Sequence, residues 1–348
     1  MHMADALMSP AVGVVMWTAT AATTVYCAKR IREEDDPGKI PLMGVTGAFI
    51  FAAQMLNFTI PGTGSSGHLG GGLILAILLG PHAAFLVMAS VLSVQALFFA
   101  DGGLLALGAN ILNLGFIPAF LAYPLVYKPI VGLNPSRTRL IAGSVAGAVV
   151  ALQLGALGVV LETWFSGVSE LPFAPFAALM LPIHLGIGLA EGAVTAAVVL
   201  FVRQAQPELL GRTAQRKPLT GLSLRPVIAG LAIAAVLSGV ALSWFASASP
   251  DGLEWSIARV TGNEEFAGDT TAAVHDVTAA IQEKTAFLPD YEPRRPGGKG
   301  GETAATWPSV NGATSVAGLV GAAITLGFAG LIGYLLSRRR RAALRRAG

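Results

Sequence analysis

The chain has 348 residues, 53% of them hydrophobic and only 12% charged, with 42 glycines and a mean hydropathy of +0.64. That balance excludes a water-soluble globular domain. The net charge of +3 argues for no nucleic-acid partner, because the basic residues are distributed by topology, and the lone Cys27 excludes an intramolecular disulfide or a cysteine-rich metal site.

The chain opens MHMADALMSP, with no basic stretch ahead of the first apolar run. That run, from Pro10 to Ala28, is followed by KRIREEDD rather than a cleavage site, so it reads as a membrane span and not a secretory signal. A large second residue predicts that Met1 is retained, giving a Met-His start with a free amine. A helix needs about 20 apolar residues to cross roughly 30 Å of hydrocarbon. Apolar runs of that kind lie near 11–28, 41–58, 69–80, 82–100, 104–127, 140–162, 177–202, 226–247 and 314–336. The third is short, and Gly80-Pro81 decides whether 69–100 is one helix or two, since an interior proline breaks the hydrogen-bond ladder.

Charge separates the two readings. With a break and an external N-terminus, all but five of the 23 basic residues face the cytoplasm, and those five (Arg259, Lys284, Arg294, Arg295, Lys299) share one long external segment. Long segments translocate regardless of charge, so the positive-inside rule holds. The expected architecture is an all-α integral membrane protein: a seven-span bundle over 1–205, a basic cytoplasmic linker over 206–225, and a two-span module over 226–348. Within the last, spans 226–247 and 314–336 flank an extracytoplasmic segment, 248–312. Short helices are expected there from Gly252 to Thr261 and from Ala272 to Ala286, with a loose second half.

An external N-terminus puts His2 on the same side as the loop NFTIPGTGSSGHLGGG, which ends in His68. The Met1 amine, the deprotonated His2 backbone nitrogen and the His2 imidazole can hold one metal through fused five- and six-membered rings. A nitrogen from His68 completes a planar four-nitrogen set, the geometry suited to Ni(II) or Cu(II) and open to Co(II); zinc prefers a tetrahedron. The plainer alternative is a chance Met-His start and a His68 that bonds a loop carbonyl.

Around this pair, Asp5, Ser66, Gln95 and Asn110 are candidates to orient the ligands from behind. Asp101 and Asn113 lie near the same turn, where helix capping is an equally simple role. His184 and Glu191 fall roughly on one face of the seventh span. They fit an interhelical contact or a surface for a membrane partner better than direct metal binding. His82 reads as structural. Asp251 and Glu254 could touch a metal transiently, but a helix cap with a carboxylate three residues on explains them more simply.

The start MHMADALMSP resembles the MHIPDGFLSP-type start of the CbiM/NikM family, the substrate-capture subunits of energy-coupling-factor transporters for cobalt and nickel. QMLNFTIPGTGSSGHLGGGLILAILLGPHAA, VQALFFADGGLLALGANILNLG and PIHLGIGLAEGAVT resemble further signatures of that family, in order, over about 1–205. The resemblance implies metal ligation by the Met1 amine, His2 and His68. It departs at positions 3 to 6, where MADA stands for the more usual IPDG; Asp5 stays in register counted from Met1, and the path of the loop bearing His2 is in question. The module containing PDGLEW is similar to the small CbiN/NikN partners, here in one chain.

The resemblance further implies import of Co2+ or Ni2+ as cargo, with no resident cofactor and no enzymatic activity. The setting is a bacterial plasma membrane, N-terminus outside and C-terminus cytoplasmic. Energy would come from a CbiQ/NikQ-like coupling subunit and CbiO/NikO-like ATPases, for the chain has no G-x-x-x-x-G-K-[ST] phosphate loop of its own. A stand-alone secondary metal permease is the main rival, and would need polar residues through several spans. A membrane metalloenzyme would need an open catalytic position and has no HExxH motif.

Overall fold

The computed structural model describes residues 2–169, 171–262, 273–293 and 307–347, with side chains as far as Ser337. Met1, and part of the segment expected to be loose, lie outside the described residues.

Ser9 opens the first helix. Its hydroxyl accepts from the Val12 N–H at 3.4 Å, and Pro10 takes a first-turn position where its missing N–H costs nothing. This helix, α1 (Pro10–Glu34), leaves Val14 and Val15 63% and 64% exposed, an apolar surface suited to lipid. Helix α2 (Lys39–Gln54) is buried along nearly its whole length. It is shorter than the expected 41–58 because the chain leaves the helix after Gln54 and turns into a hairpin, β1 (Phe58–Ile60) and β2 (Ser65–Gly67), paired antiparallel with Thr59 opposite Ser66. Gly62 and Gly64 make the turn with φ of 77° and 76°, which costs little only for glycine.

The chain breaks at Gly80, whose φ is 81°, between α3 (Gly72–Leu79) and α4 (Pro81–Phe99). Helix α5 (Leu107–Val131) follows; its middle, Leu112–Tyr127, is wound as a π-helix around Pro118 and Pro124, neither of which has an N–H to give. Helices α6 (Arg137–Ser166) and α7 (Phe173–Ala205) lie against each other in opposite directions. Gly188 abuts Val149 and Gly192 abuts Val145, small residues that bring the two backbones together.

A short helix, α8 (Pro207–Ala214), and an irregular stretch lead to α9 (Arg225–Val240). This linker is anchored by Asp36, whose carboxylate accepts from the Leu219 N–H (2.6 Å), the Thr220 N–H (3.1 Å) and the Thr220 hydroxyl (2.8 Å). Helices α10 (Gly252–Thr261) and α11 (Ala273–Thr285) follow, and α12 (Gly312–Ala347) closes the chain. The end of α10 falls where the sequence suggests, and α12 runs well past the expected 336. Among the described residues six helices are long and apolar enough to cross a membrane (α1, α4, α5, α6, α7 and α12, the last counted to Ser337), while α2 and α9 are shorter apolar helices.

The C-terminal pair joins the same bundle. Gly321 faces the Phe51 ring and Gly44 the Leu326 carbonyl, so α12 packs on α2, and α9 meets α12 at Gly239 and Gly318. A Cβ on Gly318 would stand 2.6 Å from the Gly239 carbonyl oxygen. Gly318→Val is expected to destabilise the protein by about 1–3 kcal/mol through overpacking. Gly327→Val, where a Cβ meets nothing within 4 Å, is expected to be near neutral. Thermal unfolding midpoints in detergent compare the two, and equal midpoints would refute the close contact.

Candidate metal centre

His2 is placed by its neighbours on both sides. The Met3 N–H donates to Asn110 Oδ1 (2.9 Å), and Asn110 Nδ2 donates back to the Met3 carbonyl (3.2 Å), which also receives the Gly103 N–H (2.9 Å). Two residues on, Asp5 accepts from the Ala106 N–H at 3.0 Å and from the Thr278 hydroxyl at 2.8 Å. Asn110 and Asp5 thus hold the backbone just after His2. The Gln95 carbonyl accepts the Asp101 N–H at 3.2 Å.

His68 stands at the end of the hairpin, and its loop is fixed from beneath. The Glu191 carboxylate accepts both the Gly70 N–H (2.6 Å) and the Gly71 N–H (3.0 Å), while Gln54 Nε2 donates to the Gly70 carbonyl (2.8 Å). Glu191, 2% exposed, is therefore a support for the His68 loop and not a surface for a membrane partner. His184 is 1% exposed, so it is not a docking surface; it bonds the Met180 carbonyl of its own helix through Nδ1 at 2.8 Å, and its ring meets Gly252 at the start of α10, an interhelical contact.

The hairpin also receives the segment after α9. The Ser66 N–H donates to the Pro250 carbonyl (2.8 Å) and the Ser66 hydroxyl to the Ser249 carbonyl (2.7 Å), so Ser66 secures the PDGLE stretch rather than a histidine. Asp251 and Glu254 form the expected reciprocal cap at the start of α10. Asp251 has a further position: its Oδ2 lies 4.0 Å from His68 Nε2. Gly252 fits closely over α7, where a Cβ would stand 3.1 Å from the His184 ring.

The rings of His2 and His68 are stacked, with centroids 4.9 Å apart and planes 3° from parallel. His68 Nδ1 sits 3.0 Å from the Leu69 carbonyl, which can only accept, so Nδ1 carries the proton and Nε2 is left as the basic nitrogen. Burial pushes the His68 pKa down to about 3, keeping the ring in the neutral form that binds metals. His2 Nδ1 faces Asp101 Oδ1 at 3.1 Å, and its Nε2 is buried with no hydrogen-bond partner.

Among the described residues the donors do not yet form a planar set. Only Nδ1 can close a six-membered ring with the His2 backbone nitrogen, and Nδ1 is turned to Asp101, so a chelated ion and Asp101 compete for the same nitrogen. Asp101 starts no helix. Burial alone would raise its pKa, but the His2 imidazole and the Tyr291 hydroxyl, which donates to Oδ2 at 2.5 Å, hold it well below the usual carboxylate range. Tyr291 escaped sequence reading, as nothing local links it to a partner 190 residues away.

Above the two histidines opens a chamber of about 670 Å³. Asp5, Asp101, Asp251, Glu254, Asp276 and Asp290 line it, and no lysine or arginine does among the described residues. Concentrated negative charge in a recess raises the local concentration of cations. Asn113 lies elsewhere, donating to Glu162 at 2.8 Å, and His82 bonds Glu34 at 3.3 Å.

The family described as CbiM, cobalt uptake substrate-specific transmembrane region, matches residues 2–209, and the PDGLE domain matches 225–338. The fused nickel transport protein NikMN of Rhodobacter capsulatus is 34% identical over 60% of this chain and 64% of its own length. The cobalt transport protein CbiM of Sorangium cellulosum is 30% identical over 61% of this chain and 95% of its own. A crystal structure of a transition metal transporter superposes with a TM-score of 0.52 at 30% identity, over 62% of this chain and 99% of that one. With more than half its length matched, the chain belongs to the CbiM family, and a PDGLE domain follows in the same polypeptide.

Proposed function

We propose that the chain is the substrate-specific membrane component of an energy-coupling-factor transporter importing Co2+ or Ni2+, which it captures with the Met1 amine, His2 and His68. The observation that carries this reading is the meeting of His2 and His68, 66 positions apart in sequence, at the floor of a chamber lined by carboxylates. The backbone supports at Met3, Asp5 and Gly70 favour it too, because a planar chelate tolerates little movement of its donors.

The chain lies in a bacterial plasma membrane with its N-terminus outside and its C-terminus cytoplasmic, an orientation supported by the basic residues. A CbiQ/NikQ-like coupling subunit and CbiO/NikO-like ATPases supply the energy, consistent with a sequence that has no phosphate-binding loop. Domain limits of 1–205, 206–225 and 226–348 follow from the same reading.

The native Met-His protein is expected to bind one tight equivalent of Ni(II) or Co(II) by calorimetric titration, and a version with two alanines ahead of Met1 is expected to lose it; equal binding by both would remove the terminal chelate. Asn110→Ala, which removes both of the Asn110 bonds to Met3, should weaken binding about 10- to 100-fold, and an unchanged affinity would show that the clamp does not serve the metal. Protons compete for the amine, so affinity should fall as pH is lowered from 8 to 6; a flat profile in the same titration would exclude the amine as a ligand.

A further inference from the structure

The chamber contains a third histidine that the capture site does not use. His275, in the first turn of α11, is 5% exposed, and both of its ring nitrogens are buried without a hydrogen-bond partner. Buried polar atoms are nearly always paired, so two on one ring ask for a reason. A neutral imidazole carries one N–H and one lone pair, and this ring lines a chamber whose charged side chains, among the described residues, are carboxylates.

The position of α11 makes this more than a loose packing defect. Thr278 donates to Asp5, and Gln282 Nε2 donates to both the Ala96 carbonyl (2.9 Å) and the Gly102 carbonyl (2.8 Å). His275, Thr278 and Gln282 follow the i, i+3, i+7 spacing of one helix face. The bonds that clamp the helix over the N-terminal segment therefore also turn His275 inward. Asp276 lines the chamber beside it, and Glu254 lines it from α10.

We propose that His275, with Glu254 and Asp276, forms a second and weaker station for a divalent transition metal, from which the ion passes to His2 and His68. An imidazole nitrogen selects ions of the nickel, cobalt and zinc class over magnesium or calcium. No three His, Cys, Asp or Glu side chains among the described residues are gathered closely enough to hold a metal by themselves. An ion at His275 accordingly keeps water in most of its positions and exchanges quickly, which suits a station on a path and not a resting site.

The proposal rests on the capture reading for its destination, but the two are separable. In the full-length protein carrying His2→Ala and His68→Ala, equilibrium dialysis against Ni(II) is expected to lose the tight equivalent and to retain one at least tenfold weaker. Adding His275→Gln is expected to remove that weaker equivalent. In the otherwise native protein, His275→Gln is expected to slow stopped-flow loading of Ni(II) at least tenfold, with the tight stoichiometry preserved; matched thermal unfolding midpoints exclude a folding defect. A weaker equivalent that survives His275→Gln, or its absence from the His2/His68 variant, overturns the second station. Retention of the tight equivalent without His2 and His68 would overturn the capture site instead, and the His275 comparison would still be read on the weak equivalent.

Discussion

The reciprocal pair of hydrogen bonds between the Asn110 amide and the Met3 backbone is the constraint on which the centre depends. Chain ends ordinarily fray. A histidine at position two is useful as a chelator only if the residues around it are held still, and two bonds from one buried side chain do so directly after it. Asp5 and the Gly103 N–H extend the grip, so the N-terminal segment is bound to the turn after α4 as firmly as a strand would be to a sheet.

The other half of the centre is held from the membrane side. Backbone N–H groups within a bundle must find acceptors, and the glycine-rich loop after His68 finds two on Glu191. A carboxylate in the middle of an apolar helix, costly by itself, is thereby accounted for by the loop it supports. The two histidines are consequently fixed by different parts of the chain, α5 and the turn after α4 for His2, and α7 for His68. Relative movement of those helices would change the spacing of the rings.

Much of this was legible in the sequence, for physical reasons. The break at Pro81 follows from a missing N–H, and the cap at Asp251 and Glu254 from a three-residue spacing. What stayed hidden joins distant residues through groups that carry no pattern. Glu191 meets backbone N–H groups, which any sequence provides; Asp36 does the same with Leu219 and Thr220. Tyr291 and His275 lie in a polar segment where a single aromatic residue or histidine has no periodicity to announce it.

The anchoring of the linker by Asp36 bears on how the PDGLE segment reaches the hairpin. Tethering turns docking into an intramolecular event, with an effective concentration in the millimolar range for short connections. Because Leu219 and Thr220 are already fastened, only a few residues separate the anchor from α9, and the free length that sets this concentration is much shorter than the whole linker. The covalent arrangement thereby keeps the hairpin occupied by the chain's own PDGLE segment.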